Sequence, residues 1–264
     1  MHKASHYGTL ATYLADPSVT AWRRGETEGV TFESQILLSG EDGGPEAIRF
    51  RFDPTLSVYA HMHLTAQFQL LLSGSMSFSR DALNLKPIGV HYTDHNTPYG
   101  PFSVAEEHEV LVLHPRQGGL MTMGNRTARR EINLTGRVLH GMGDDADWTA
   151  VEGFDGVRYK VLIPHAAGPE VVMIECAAGI ELTVEGAPYG RYEVVSSGSV
   201  VVEGSTLVTP GLRYVVGEQR PSRLCAGPEG ATVIFLSFDG NALEGGLTDS
   251  GIALDAAEAM ARAI

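Results

Sequence analysis

The feature that most constrains this chain is that it repeats itself. The run Gln67-Phe-Gln-Leu-Leu-Leu-Ser-Gly74-Ser lies over Arg191-Tyr-Glu-Val-Val-Ser-Ser-Gly198-Ser at an offset of 124 residues, and Ser-Gly-Ser closes both apolar runs. Leu85-Lys-Pro-Ile-Gly-Val-His91-Tyr92 lies over Val208-Thr-Pro-Gly-Leu-Arg213-Tyr214, and Val110-Leu-Val-Leu113 over Val233-Ile-Phe-Leu236, at offsets of 122 to 123. Self-similarity over such a distance means two copies of one structural unit. With 264 residues, each copy has room for about 100 to 130 residues, enough for an independent β core.

The local pattern says what each copy is made of. Short β-rich runs at Ala47 to Phe52, Leu56 to His63, Gln67 to Leu72, Ser75 to Phe78, Val90 to Thr93 and Val110 to His114 are separated by Gly, Pro, Asp and Asn, the punctuation of strands and turns. Helical periodicity is confined to the stretch Leu10 to Leu14, a turn near Asn125 to Glu131, and the closing Leu254 to Ile264, rich in helix formers. The expected fold is all-β, two barrels with a few peripheral helices. The expected boundaries are 1–115 for a first barrel, 116–155 for a connection of Gly, Arg and Asp without β pattern, and 156–264 for a second barrel and terminal helix.

Charge and cysteine usage narrow the partners. A net charge of −13 with only 19 Lys and Arg repels a phosphate backbone or an anionic membrane, so neither nucleic acid nor membrane is expected. Cys176 and Cys225 each sit in an apolar stretch and read as free buried thiols rather than a disulfide framework. Without a continuous apolar leader or span, the expected location is cytoplasmic.

One cluster carries chemistry. His61-Met-His63 ends a β run, and strand alternation sends residues i and i+2 to one face, so both imidazoles point the same way. Gln67 and Gln69 follow with the same parity, then Leu71. Four polar groups inside a barrel are costly unless partnered, roughly 1 to 3 kcal/mol for each unpaired group; a metal ion or a substrate would remove that cost.

These residues resemble a known family. The run His61-x-His63-x-x-x-Gln67 closing at Gly74 is similar to the first motif of the cupin superfamily, and Pro87 to Gly100 resembles the second. The resemblance implies a bicupin, two double-stranded β-helix (jelly-roll) barrels, with one divalent metal ion held by His61, His63 and Gln67. Fe(II) is favoured, with Mn, Ni or Zn as alternatives. Gln67 stands where the family has Glu, and Tyr99 where it has the second motif's His. Gln offers a carbonyl oxygen without charge. A phenol, with an ordinary pKa near 10, needs the ion's help to deprotonate and otherwise donates a hydrogen bond. Tyr99 and His91 are the candidate catalytic groups; His95, expected to begin a turn, ranks below His91. His108 is expected at the surface, and His114 as a structural histidine.

In the second repeat Glu185, Ala187 and Arg191 take the places of His61, His63 and Gln67, and Pro221 falls near the place of Tyr99. No metal set is expected there, although Arg191, Glu193 and Arg213 offer a pocket for a small acid. The resemblance implies a metal-dependent enzyme acting on a small organic substrate, in first place a mononuclear non-haem dioxygenase. The alternatives are a Lewis-acid isomerase, lyase or hydrolase in the same barrel, or a non-catalytic small-molecule-binding bicupin. A homodimer is the expected assembly.

Overall fold

The computed structural model describes residues 3–7, 10–15, 20–27, 30–54, 56–79, 82–104, 108–122, 128–216 and 221–243. The chain divides into two compact units: 21–142 with 241–243, and 143–240 with the N-terminal residues up to 20. Both are antiparallel β structures. Among the described residues there is no helix longer than a four-residue 3-10 turn, and no helix long and apolar enough to cross a membrane.

In the first unit, one face is a seven-stranded sheet ordered Val138–Met142, Gly89–Thr93, Gln67–Ser73, His108–His114, Glu46–Phe52, Val30–Ser39 and Arg23–Thr27. A four-stranded sheet of Leu83–Leu85, Met76–Phe78, Phe102–Ser103 and Ser57–Val58 accompanies it, as does a ribbon pairing His61–His63 with Leu120–Thr122. Alternation decides which side chains turn inward. In Glu46–Phe52, Ile48, Phe50 and Phe52 line an interior cavity. Arg49 and Arg51 turn the other way, to Glu109 and to the face of Trp22. Phe32, Phe50 and Phe52 form an aromatic group with centroids 5.3 to 6.1 Å apart, spacings at which ring pairs attract.

In the second unit, Arg191–Val202 lies between Leu212–Val215 and Ser222–Ser237, just as Gln67–Ser73 lies between Gly89–Thr93 and His108–His114. The repeat extends to register: His91 faces Gln69 in one unit and Arg213 faces Glu193 in the other. The glycines of the two Ser-Gly-Ser closures are both left-handed, with φ of 73° at Gly74 and 69° at Gly198, a conformation that a side chain would strain. Cys176 and Cys225 are both free thiols.

Two local expectations change. Leu10–Ala15 is a strand, not a helix, and it pairs with Leu212–Val215 of the second unit's sheet. A five-residue periodic stretch is too short to repay helix nucleation, whereas a neighbouring strand supplies backbone partners at once. The stretch 116–155 contributes strands to both units: Leu120–Thr122, Val138–Met142 against Gly89–Thr93, and Thr149–Ala150 against Val157–Ile163. Runs of two to five residues are too short to show alternation among so many Gly, Arg and Asp. Of the turn near Asn125 to Glu131, Ala128–Arg130 is a 3-10 turn; the rest of its start, and the closing Leu254 to Ile264, lie outside the described residues.

Candidate functional site

His61 and His63 sit on the three-residue strand His61–His63, with Met62 turned to the opposite side and fully buried near Leu64. A bridge pins Tyr99 across from His61: His61 N donates to Tyr99 O at 3.2 Å and Tyr99 N to His61 O at 3.0 Å. Gln67 and Gln69 come from the adjoining strand with shared parity, both buried, while Phe68 packs away from them on Tyr92.

These side chains meet at one atom, the Tyr99 hydroxyl oxygen. His61 Nε2 lies 2.6 Å from it, His63 Nε2 3.3 Å, and Gln69 Nε2 donates to it at 2.8 Å. His61 Nδ1 is 2.8 Å from the Tyr59 carbonyl. A carbonyl only accepts, so His61 carries its proton on Nδ1 and presents a bare Nε2 to the phenol. The His63 ring is bonded to the Gly119 backbone and also faces the phenol. One hydroxyl proton serves at most one of the two imidazoles. Gln67 Nε2 donates to Thr93 Oγ1 at 3.2 Å and its side chain also reaches the phenol. Among the described residues, the buried Oε1 atoms of Gln67 and Gln69 have no hydrogen-bond partner.

Burial sets the protonation states. It pushes His61 down to about 4 and His63 well below the ordinary imidazole value, the latter helped by repulsion from His114 and His61. It pushes the Tyr99 phenol up, against the lowering effect of Gln67 and Gln69. Without another cation, the site therefore holds two neutral imidazoles and a neutral phenol at pH 7.

His91 is fully buried and packs on the Tyr99 ring at 4.8 Å and on Phe78 at 4.7 Å. Its Nδ1 is 3.3 Å from Nδ1 of His140, directly opposite it, and its Nε2 has no hydrogen-bond partner among the described residues. It backs Tyr99 rather than lining the interior cavity. His95 stands in the turn after Gly89–Thr93, where Thr97 and Asn133 bond its carbonyl. His108 is a correction: it is fully buried, stacked on Phe52 at 5.0 Å. The strand starts at His108, not after it, and parity carries the ring inward with Val110 and Val112.

His61, His63, Gln69 and Tyr99 form part of the wall of a cavity of about 120 Å³ that is otherwise mostly apolar. Two further polar groups on that wall were not singled out from sequence: Glu46 as a site residue, and His114 as a cavity group. His114 Nδ1 contacts Thr65 Oγ1 at 3.1 Å and the Ala66 carbonyl at 3.2 Å. Its ring is 5.0 Å from His63, and its Nε2 4.0 Å from Glu46 Oε2. Gly118 N donates to Glu46 Oε2 at 3.0 Å. Burial pushes the Glu46 carboxyl up to about 7 against that bond, and His114 down to about 4. The signal for Glu46 was its parity: it stands two residues before Ile48 on the inward face. His140 was hidden in the stretch taken as a connection.

Among the described residues, no three His, Cys, Asp or Glu side chains come together as a metal set. The donor set at Tyr99 is of another composition, two imidazoles, a phenol and two amide oxygens. It fits a divalent ion on two counts: the imidazoles are neutral, as ligands must be, and the two Gln oxygens are buried and unmatched.

The corresponding place in the second unit is closed by ion pairs. Arg191 Nη2 donates to Glu193 Oε1 at 2.7 Å and Arg213 Nε to Glu193 Oε2 at 2.6 Å, all three residues buried. Arg191 Nη1 also bonds the Glu185 carbonyl at 2.9 Å. The expected pocket for a small acid is thus occupied by the chain's own carboxylate.

No family model matches the sequence, and no curated protein matches it. Solved structures do. A proposed dioxygenase from Nostoc punctiforme superposes with a TM-score of 0.66 at 12% identity, over 90% of this chain and 87% of its own. Oxalate decarboxylase from Lactobacillus farciminis gives 0.61 at 11%, over 89% and 88%. Vicilin from hazelnut, Corylus avellana, gives 0.53 at 9%, over 88% and 86%. At such identities the likeness is one of fold.

Proposed function

From the premise that this chain has the bicupin fold, we propose that its first barrel is a metal-dependent enzyme site for a small, largely apolar molecule. The finer reading is a mononuclear non-haem dioxygenase. The observation that carries it is the convergence of His61 Nε2, His63 Nε2 and two buried amide side chains on the Tyr99 hydroxyl at a cavity wall. His61 and His63 would hold the ion, with Gln67 or Gln69 offering a carbonyl oxygen. A bound divalent ion supplies Lewis acidity and, if iron or manganese, redox chemistry with dioxygen.

The chain's own residues do the rest. The Tyr59 carbonyl orients His61 and fixes its tautomer, the outer support that metal-binding imidazoles use. Tyr99 holds a proton at Oη that it can offer to a substrate atom. Phe32, Phe50 and Val110 exclude water and strengthen every polar contact on the wall. His91 supports the Tyr99 ring from behind.

A second reading, binding without turnover, is favoured by the 2.6 Å contact between Tyr99 and His61, which partners both groups with no ion at all. Metal analysis of the natively purified protein, and of the His61→Ala/His63→Ala variant, separates the two. One divalent ion per chain in the parent and none in the variant is the expected result. Sub-stoichiometric metal in both overturns the metalloenzyme reading and leaves the binding one.

A further inference from the structure

The first unit has a second cavity, of about 430 Å³, and Tyr99 stands on its wall as well as on that of the inner cavity. The rest of the wall is mostly apolar, with Phe78, Pro101, Ile132, Leu134 and Val138. The segment that supplies the last three is anchored. Asn133 N donates to Asn96 O at 2.8 Å and Arg137 Nη2 to Asp94 Oδ1 at 2.7 Å, and Gly136 lies so close to Thr97 that a Cβ would meet its hydroxyl. Leu134 is nonetheless 92% exposed. An apolar side chain held in water by a pinned segment, on the wall of an apolar cavity, is a preformed contact surface. His91 also lines this cavity. It is 0% exposed, and its Nε2 has no hydrogen-bond partner among the described residues. Leaving such an atom unbonded is costly, and an apolar residue at this inward strand position would avoid the cost. Its Nδ1 faces Nδ1 of His140 at 3.3 Å, and only one of those two nitrogens can carry the proton of that bond. His91 Nε2 is thus an acceptor in one arrangement and an N–H donor in the other.

We propose that this outer cavity is a second binding site, for a neutral, mainly apolar molecule carrying one hydroxyl group, and that His91 Nε2 bonds the hydroxyl. A hydroxyl both donates and accepts, so it matches either placement of the proton between His91 and His140. A charged ligand does not fit. Among the described residues no Lys, Arg, Asp or Glu lies on the wall and burial keeps His91 neutral, so a buried ion would go uncompensated. A volume of about 430 Å³ falls within the roughly 300 to 1,000 Å³ of small-molecule pockets, room for a ring with a short chain. The apolar body lies against Ile132, Leu134 and Val138. The rings of Phe78 and Tyr99 flank His91 at 4.7 and 4.8 Å, and a small turn of Phe78, a side-chain change of the kind that binding commonly brings, admits the hydroxyl to Nε2. The bound molecule rests on Tyr99, whose hydroxyl joins His61, His63 and Gln69 in the inner site. This inference stands apart from the metal-dependent reading and needs no ion.

The test uses 2-phenylethanol and propylbenzene as probes, alike in shape and differing in the hydroxyl. Binding of each is followed by NMR titration of the full chain. Signals of Ile132, Leu134 and Val138 are expected to move. Movement confined to Ile48, Val110 and Val112 of the inner cavity, or binding of neither probe, overturns the proposal. In His91→Phe, which keeps a flat ring between Phe78 and Tyr99, the 2-phenylethanol-to-propylbenzene affinity ratio should fall about fivefold, the scale of a neutral hydrogen bond, with propylbenzene still bound. An unchanged ratio there sinks the role of His91. Should His91→Phe fail to fold, Leu134→Asp decides: it places a charge at an exposed position of the wall and should weaken both probes about threefold or more, and undiminished binding overturns the site. His61→Ala/His63→Ala keeps this inference apart from the metal-dependent reading. Binding retained in that variant supports the outer site whether or not the parent carries metal. Binding lost there, while Leu134→Asp binds as the parent does, assigns the probes to the inner site and overturns the proposal.

Discussion

Replacing Glu46 by Gln changes stability by an amount that depends on pH. The carboxyl is raised from its ordinary 4.5 to about 7, chiefly by burial. An acid raised in the folded state binds its proton more tightly there than in the unfolded chain. Its contribution is therefore fully present below pH 4.5 and is lost as pH rises through about 7. The difference of about 2.5 in pKa, at roughly 1.36 kcal/mol for each, is about 3 kcal/mol. About 1 kcal/mol of this is already lost at pH 5 and nearly all of it at pH 8 by the same linkage. Gln keeps an acceptor for the Gly118 N–H but never ionises. Relative to the parent, Glu46→Gln should therefore gain about 2 to 3 kcal/mol between pH 5 and pH 8. Urea unfolding of both proteins at pH 5, 6, 7 and 8, with chelator present so that no bound cation holds the carboxylate, measures this difference directly. Titrations common to both proteins, including the buried histidines, cancel. A difference between variant and parent that is constant across the four pH values would refute the reasoning.

Three further outcomes follow from the same site and its counterpart. His61, His108 and His114 are each lowered from 6.5 to about 4 by burial, so their contribution is present above pH 6.5 and lost as pH falls through 4. At pH 5 this amounts to about 2 kcal/mol each, and the urea midpoint of metal-free Glu46→Gln should fall steeply from pH 7 to pH 5; a flat profile contradicts it. Tyr99→Phe removes the oxygen that His61 Nε2 and Gln69 Nε2 share, and should cost about 2 kcal/mol or more in the chelated protein, seen as a lower thermal midpoint. Glu193→Gln strips the charge that holds the buried Arg191 and Arg213 and should cost about 3 to 5 kcal/mol; calorimetric unfolding with a loss below 1 kcal/mol would show the triad to be dispensable.

Much of the fold is legible in the chain because the signals are periodic or repeated. Alternation from Gln67 to Leu71 placed both glutamines on the face of His61 and His63, and the offset between Gly74 and Gly198 paired the two units strand for strand. The misreadings share a cause. Leu10–Ala15 and Val138–Met142 are strands because neighbours distant in sequence offer them backbone partners, and five or six residues carry too little pattern to announce that. His108 was read as exposed because Glu106 and Glu107 precede it, yet the strand begins two residues before Val110, at His108, and alternation puts its ring on the inward face with Val110 and Val112.

The chain's local patterns are enough to make this protein two copies of a β unit, the first carrying two imidazoles and two amides on one inward face. These are consequences of local geometry, a period of two and a repeated motif. Folding in three dimensions was needed to set Tyr99 Oη at the meeting point of His61, His63 and Gln69. It alone brought Glu46 and His114 onto the same wall, and closed the second site with Glu193. Those relations join residues up to 68 positions apart, Glu46 to His114, through the closure of sheets, and no window of sequence contains them.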